Sequence, residues 1–222
     1  MNQTMTSLLK TVVASATMLG ALAAHAQTAA GDVKAGESKA AMCIGCHGIP
    51  GYQNAFPEIH KVPMISGQSA GYIAAALQAY RKGERKHPTM RGIAGSLSDQ
   101  DIADLAAFYS GHNAGVTAPE QPKAAPAAVA ALLEKGACTS CHGANFSKPI
   151  DPSYPKIAGQ HADYLYVALK SYGVEGNPYI GRGNPIMGGI VKQFSNAELK
   201  QLANYLATVP GELATKPQSR FR

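Results

Sequence analysis

The chain has 222 residues, four cysteines, no tryptophan and a formal net charge of +6, a length that suits one or two domains. Beyond Ala24 no apolar run approaches the ~20 residues a membrane-spanning helix needs. No Ser/His/Asp set, paired carboxylates or nucleotide-binding loop stands out, which argues against the common hydrolase and nucleotide-dependent classes.

Residues 1–26 read as a secretory signal peptide. Lys10 supplies the positive charge, Thr11 to Ala24 is a mostly apolar run, and Ala24-His25-Ala26 is an A-x-A cleavage site. A retained anchor is the rival reading, against which the shortness of the run weighs. The mature chain is expected to begin near Gln27, to carry about one charge less than the precursor because the leader holds one Lys and no acid, and to be exported, most simply into a bacterial periplasm.

The first domain is expected over residues 27–114. Asp32 is a suitable N-cap for a helix over Val33 to Met42. That helix leads into Cys43-Ile44-Gly45-Cys46-His47, which returns as Cys138-Thr139-Ser140-Cys141-His142. C-x-x-C-H is the pattern for covalent attachment of c-type haem. Two thiols along one turn of backbone match the two vinyl groups of the porphyrin. The histidine that follows directly can take one axial position on the iron. Gly48 and Gly143 come next, where a side chain would crowd the turn. The alternatives are a thioredoxin-like redox pair, a zinc site or a disulfide framework. The first wants a βαβ context that is not found. The others leave a histidine after each pair unexplained. Two copies that consume all four cysteines predict two covalently bound c-type haems. The positive charge is therefore not read as nucleic-acid binding, since the four propionates of two haems offset most of it.

A second helix begins at Ser69 and carries Tyr72, Ile73, Ala76, Leu77 and Tyr80 on one face, with Gly83 past its end. A third begins at Ser98, with Asp101 three residues on in the manner of a capping box. Between them, His87-Pro88-Thr89-Met90 reads as a loop before the last helix. Residues 115–128, rich in Ala and Pro, read as a semi-extended linker. The second domain is expected over residues 129–222 and repeats the first. Pro63, Ile65, Gly67, Gln68, Tyr72 and Tyr80 recur 92 positions later, while Pro88, Met90, Ser98 and Leu105 recur 97 positions later. Shifting offsets mean small loop insertions within a duplicated domain. Ala127 to Ala137 echoes the first helix. Tyr164 to Tyr172 echoes the second, stopping at Gly173. Ser195 with Glu198 echoes the third start. The tail from Pro210 is polar and reads as loose. The fold class is all-α: two tandem domains, each of about three main helices around a covalently bound haem. Each copy is small for a self-sufficient core, so the haem is expected to be part of the fold.

His47 and His142 leave one axial position on each iron. Met90 and Met187 occupy one repeat position and read as the sixth ligands, an assignment that raises the reduction potential relative to a second nitrogen ligand. Packing use is the usual fate of a Met, and two in register weigh against it. His87 is a rival for the first haem, but its repeat partner is Asn184. His60, His112 and His161 have no repeat partners and read as surface residues.

These residues resemble the class I c-type cytochromes, and specifically the dihaem cytochrome c₄ type, over nearly the whole mature chain. The resemblance rests on C-x-x-C-H-G, the P-x-I-x-G-Q segment, the P-x-M stretch and the final helix. It implies that Cys43, Cys46, Cys138 and Cys141 hold haem, and that His47 with Met90 and His142 with Met187 ligate iron. It also implies two domains packed with haem edges facing, and electron shuttling from the quinol:cytochrome c oxidoreductase to a terminal oxidase. The stretch from Gly48 to Lys61 departs from the family pattern. The expected protein is a soluble electron carrier and not an enzyme, with redox proteins as partners, no nucleic acid, and peripheral membrane contact left open. One alternative is a cytochrome subunit accepting electrons from a partner dehydrogenase. Another is a dihaem oxidoreductase such as a thiosulfate dehydrogenase or a peroxidase.

Overall fold

The computed structural model describes residues 30–122 and 124–217. The signal peptide read at residues 1–26, Lys123 of the expected linker and residues 218–222 of the tail lie outside them.

The first half opens with α1 (Val33–Lys39) and α2 (Ala41–His47), where the sequence predicts one helix over Val33 to Met42. The two meet at Ala40, which is fully buried and ends α1 through a bond to the carbonyl of Glu37. Beyond the break Ile44 enters the core and Cys43 packs against it. Next come the short strands β1 (Gln53–Asn54) and β2 (His60–Lys61), then α3 (Ala70–Lys82), β3 (Arg85–Lys86), α4 (Pro88–Gly95) and α5 (Asp99–Gly111). Ser69 caps α3 through the Tyr72 amide, and Ser98 and Asp101 form the predicted capping box on α5. Helix α1 lies close against α5: a Cβ on Gly36 would sit 2.1 Å from the Asp104 carbonyl oxygen. Asp104, 2% exposed, ties the two together. Its carboxylate accepts from the Asp32 amide at 2.8 Å, Lys39 Nζ at 2.5 Å and Gln100 Nε2 at 2.8 Å.

The second half contains α6 (Ala127–Lys135), α7 (Cys138–His142), α8 (Ala162–Tyr172), β4 (Gly181–Arg182), α9 (Pro185–Val191) and α10 (Asn196–Thr208). Ser195 and Glu198 repeat the capping box. Helix α6 begins two residues inside the stretch read as linker, because Pro126 sets the backbone that starts it. Each half has its own apolar core. One holds Ile44, Ile73, Leu105 and Phe108, the other Phe146, Leu165, Ala203 and Leu206. The fold is all-α as expected, with only two-residue strands among the described residues.

The halves pack about a pseudo-twofold axis. Gln68, on the first half, donates Nε2 to the Lys156 carbonyl and accepts the Lys156 amide through Oε1, both at 2.9 Å. Gln160, its repeat partner, donates to the Met64 carbonyl at 2.9 Å and accepts the Met64 amide at 3.0 Å. Residues 64 and 156 are themselves repeat partners, so the interface is isologous within one chain. Strands β3 and β4 pair antiparallel across the same axis, Arg85 opposite Arg182.

Two features break the symmetry. The stretch from Gly48 to Lys61 ends in the β1–β2 hairpin, which grips α8 of the other half: the Lys61 amide and Nζ donate to Asp163 Oδ2 at 3.1 and 3.2 Å, and Lys170 pairs with Glu58. His60, read as a surface residue, is 5% exposed, enclosed by this contact and facing the Tyr164 ring. The tail is not loose in its described part. Residues 210–217 cross back to the first half, where Ala214 donates to the Ser66 carbonyl at 3.0 Å and the Glu212 carbonyl accepts Asn113 Nδ2 at 2.7 Å, while Glu212 Oε2 meets Lys156 Nζ of the second half at 2.6 Å.

Candidate haem sites

In both halves the C-x-x-C-H motif lies on a helical turn, in α2 and α7, so the two thiols share one face. All four cysteines are partly exposed and unbonded to one another. Burial pushes the Cys43 and Cys138 thiols up, and near Cys43 the Tyr109 hydroxyl acts in the opposite sense. The turn after each motif is tight. A Cβ on Gly48 would lie 2.8 Å from an Ile44 methyl. One on Gly143, at φ 79°, would lie 2.1 Å from the Lys148 carbonyl oxygen.

The histidines are held alike. His47 Nδ1 lies 2.8 Å from the Pro63 carbonyl oxygen, and His142 Nδ1 lies 3.0 Å from that of Pro155. A carbonyl only accepts, so Nδ1 carries the proton in each ring and Nε2 keeps a lone pair. Burial lowers both imidazole pKa values, which favours the neutral ring a metal needs, although the carbonyl bond acts in the opposite direction. Pro63 and Pro155 come from the recurring P-x-I-x-G-Q segment. The sequence marked these prolines as repeat partners but not as histidine-orienting groups.

Met90 and Met187 are not in loops. They stand in the first turns of α4 and α9, each after a Pro at the start of the helix and an N-cap, His87 or Asn184, whose side chain accepts from the Met amide. Proline at the first helical position is a helix-start signal that the loop reading overlooked. His87 is engaged at both nitrogens: Nδ1 accepts from the Met90 amide, and Nε2 lies 3.4 Å from Asn54 Nδ2. A single cavity of about 550 Å³ runs through both halves and is lined by all four cysteines, His47, His142, Met90 and Met187. Paired thiols, a free imidazole lone pair, a thioether and apolar walls form a donor set that fits a covalently held haem in each half.

The fold and its two sites define a c-type cytochrome with duplicated haem domains. The family model described as Cytochrome c matches residues 33–111 and again 126–210. The chain is 33% identical to cytochrome c4 of Stutzerimonas stutzeri over 192 residues, covering 80% of this chain and 89% of that protein. It is 32% identical over 202 residues to a thiosulfate dehydrogenase electron acceptor of Stutzerimonas stutzeri strain A1501, covering 85% of this chain and 90% of that one. The crystal structure of reduced recombinant cytochrome c4 from Pseudomonas stutzeri matches with a TM-score of 0.59 at 28% identity, over 81% of this chain and 100% of that one. The chain belongs to the cytochrome c family, in its dihaem cytochrome c4 type. It therefore carries two covalently bound c-type haems and works in electron transfer.

Proposed function

We propose that the protein is a periplasmic one-electron carrier whose two irons are each held from both sides by its own side chains. Cys43 and Cys46 bind the first haem, with His47 and Met90 as axial ligands. Cys138 and Cys141 bind the second, with His142 and Met187. The domains run over residues 27–114 and 129–222, joined by the segment 115–128. The haems supply reversible single-electron uptake at iron. The chain supplies the thiols, holds each imidazole in the Nδ1-protonated form, and surrounds the site with apolar side chains that exclude water. With a histidine and a methionine of the chain holding each iron, neither haem would offer an open site for substrate. The observation that carries this reading is the paired histidine geometry, in which a prolyl carbonyl at 2.8 or 3.0 Å leaves Nε2 free toward the cavity that Met90 and Met187 also line.

The partners are redox proteins: the quinol:cytochrome c oxidoreductase as donor and a terminal oxidase as acceptor. Docking to them is transient and steered by charge, with the second half the more basic: eleven Lys and Arg against seven Asp and Glu over residues 115–222. A second reading, acceptance of electrons from a partner dehydrogenase, is favoured by the relative named as a thiosulfate dehydrogenase electron acceptor.

Optical and magnetic spectra of the purified protein in both redox states test the proposal. Two low-spin haems with a near-infrared thioether–iron band are expected. Met187→Ala should remove about half of that band. An unchanged band would take Met187 off the ligand set, and a high-spin signal in the unaltered protein would exclude the carrier. Acid acetone should leave both haems on the polypeptide.

A further inference from the structure

At the pseudo-twofold axis the chain buries positive charge with no acid to meet it. Arg85 is 9% exposed. Its Nη1 donates to the Tyr72 hydroxyl at 2.9 Å and its Nη2 to the Tyr164 hydroxyl at 2.8 Å. Arg182, its repeat partner, donates Nη2 to the same Tyr164 hydroxyl at 3.1 Å. The two guanidinium groups stand over the rings of Tyr80 and Tyr172, at 4.6 and 5.3 Å. Among the described residues neither arginine pairs with a carboxylate. Arg85 Nε is buried without a hydrogen-bond partner. Both side chains line the cavity shared by the two haem motifs.

Two like charges side by side, Arg85 buried with an idle donor and Arg182 half-buried, are costly unless an anion joins them. Hydroxyls and ring faces satisfy donors but leave the net charge in place. The haems bring carboxylates of their own, two propionates each, and the guanidinium fork matches that geometry. The two arginines face each other across paired strands, so each lies beside both halves of the cavity.

We infer that Arg85 and Arg182 form one shared carboxylate site that binds propionates of both haems, and that through it each arginine biases the reduction of both irons. This goes beyond electron carriage as such, and rests on the presence of the two haems. The state of Tyr164 agrees with it. Burial would push the phenol up, yet the guanidinium groups of Arg182 and Arg85 outweigh burial and hold it below the usual phenol range. The site draws whatever negative charge it can reach.

The test is a spectroelectrochemical titration of the holoprotein and of Arg85→Gln and Arg182→Gln, with haem count and the thioether–iron band as controls that the haem sites stand. A positive charge favours the reduced iron, so each single substitution should lower both midpoint potentials. A shift confined to one haem would mean separate sites and overturn the proposal, as would no shift. If Arg85→Gln does not accumulate with two haems, Arg182→Gln, whose side chain is partly exposed, decides by the same criterion. Arg85→Lys, which keeps the charge but loses the fork, should fall between wild type and Arg85→Gln. Added inorganic phosphate should leave both potentials of the wild type unmoved. A phosphate-dependent shift that Arg85→Gln abolishes would assign the site to a free anion instead. A tyrosinate absorbance titrating near neutral pH in the holoprotein would make Tyr164 the counter-charge and also overturn the inference.

Discussion

At the scale of single residues, the chemistry of this protein depends on groups fixed by short hydrogen bonds. The cysteines and histidines were legible because attachment needs them contiguous, and five adjacent positions state the pattern in full. The prolyl carbonyls that set the histidine tautomers were not, since every residue has a carbonyl and only the folded chain selects one. Asp104 was equally hidden, an acid inside a helix whose neighbours in space, Asp32 and Lys39, come from the start of the domain. Its carboxyl is held below the usual range by the Asp32 amide first, then by Lys39 and Gln100. A carboxylate with a depressed folded pKa adds stability above its unfolded value, about 3.9. That stability drains away as pH falls through the lower folded value. Thermal unfolding of the holoprotein between pH 2 and 6 should show this acid limb. In Asp104→Asn the limb should be shallower, with lower stability at neutral pH.

At the scale of elements, the caps carried most of the information. Ser69, Ser98 and Ser195 start the helices where the sequence put them, because a capping hydroxyl or a capping box is a local device. The Met-bearing segments were misread for a local reason too, since the Pro and Gly they contain suggested loops. Pro at the first helical position forgoes only an amide that the helix would leave unpaired, so α4 and α9 form. The segment Pro-x-Ile-x-Gly-Gln before α3 and α8 serves twice: its proline orients a histidine, and its glutamine clamps the other half. Each glutamine, 4% exposed, satisfies one amide and one carbonyl of the opposite chain segment. Gln160→Ala leaves the amide and carbonyl of Met64 unpaired at a part-buried interface, so a loss of about 2–4 kcal/mol is expected, the lower part of the range that ~1–3 kcal/mol per orphaned buried group gives for two. Gln68→Ala should cost a similar amount, since it is the pseudo-symmetric counterpart. Thermal or denaturant unfolding of the two holoproteins checks both values. A large difference between them would mean that the interface is not energetically symmetric.

At the scale of the whole molecule, two halves that match by repeat are made unequal by the hairpin and the tail. The tail strap joins three sites on the first half and on Lys156, with each hydrogen bond worth about 0.5–1.5 kcal/mol. Ending the chain after Gly211 should therefore cost about 2–4 kcal/mol and, by loosening the segment beneath it, speed exchange of the Gly67 amide that donates to the Tyr109 carbonyl, read by hydrogen exchange on the holoprotein. Unchanged exchange would make the strap an ornament of the surface.

The order of residues along the chain was enough to state the duplication, the haem attachment points, the candidate Met pair and the helical class. Each of these is written in neighbouring positions or in a period. The orienting carbonyls, the buried His60, the grip of the hairpin on α8, the crossing tail and the opposed arginines emerged only on folding. They join positions some 13 to 150 residues apart. What unites them is the burial of polar groups that must find partners, and three-dimensional packing alone decides which partners are within reach.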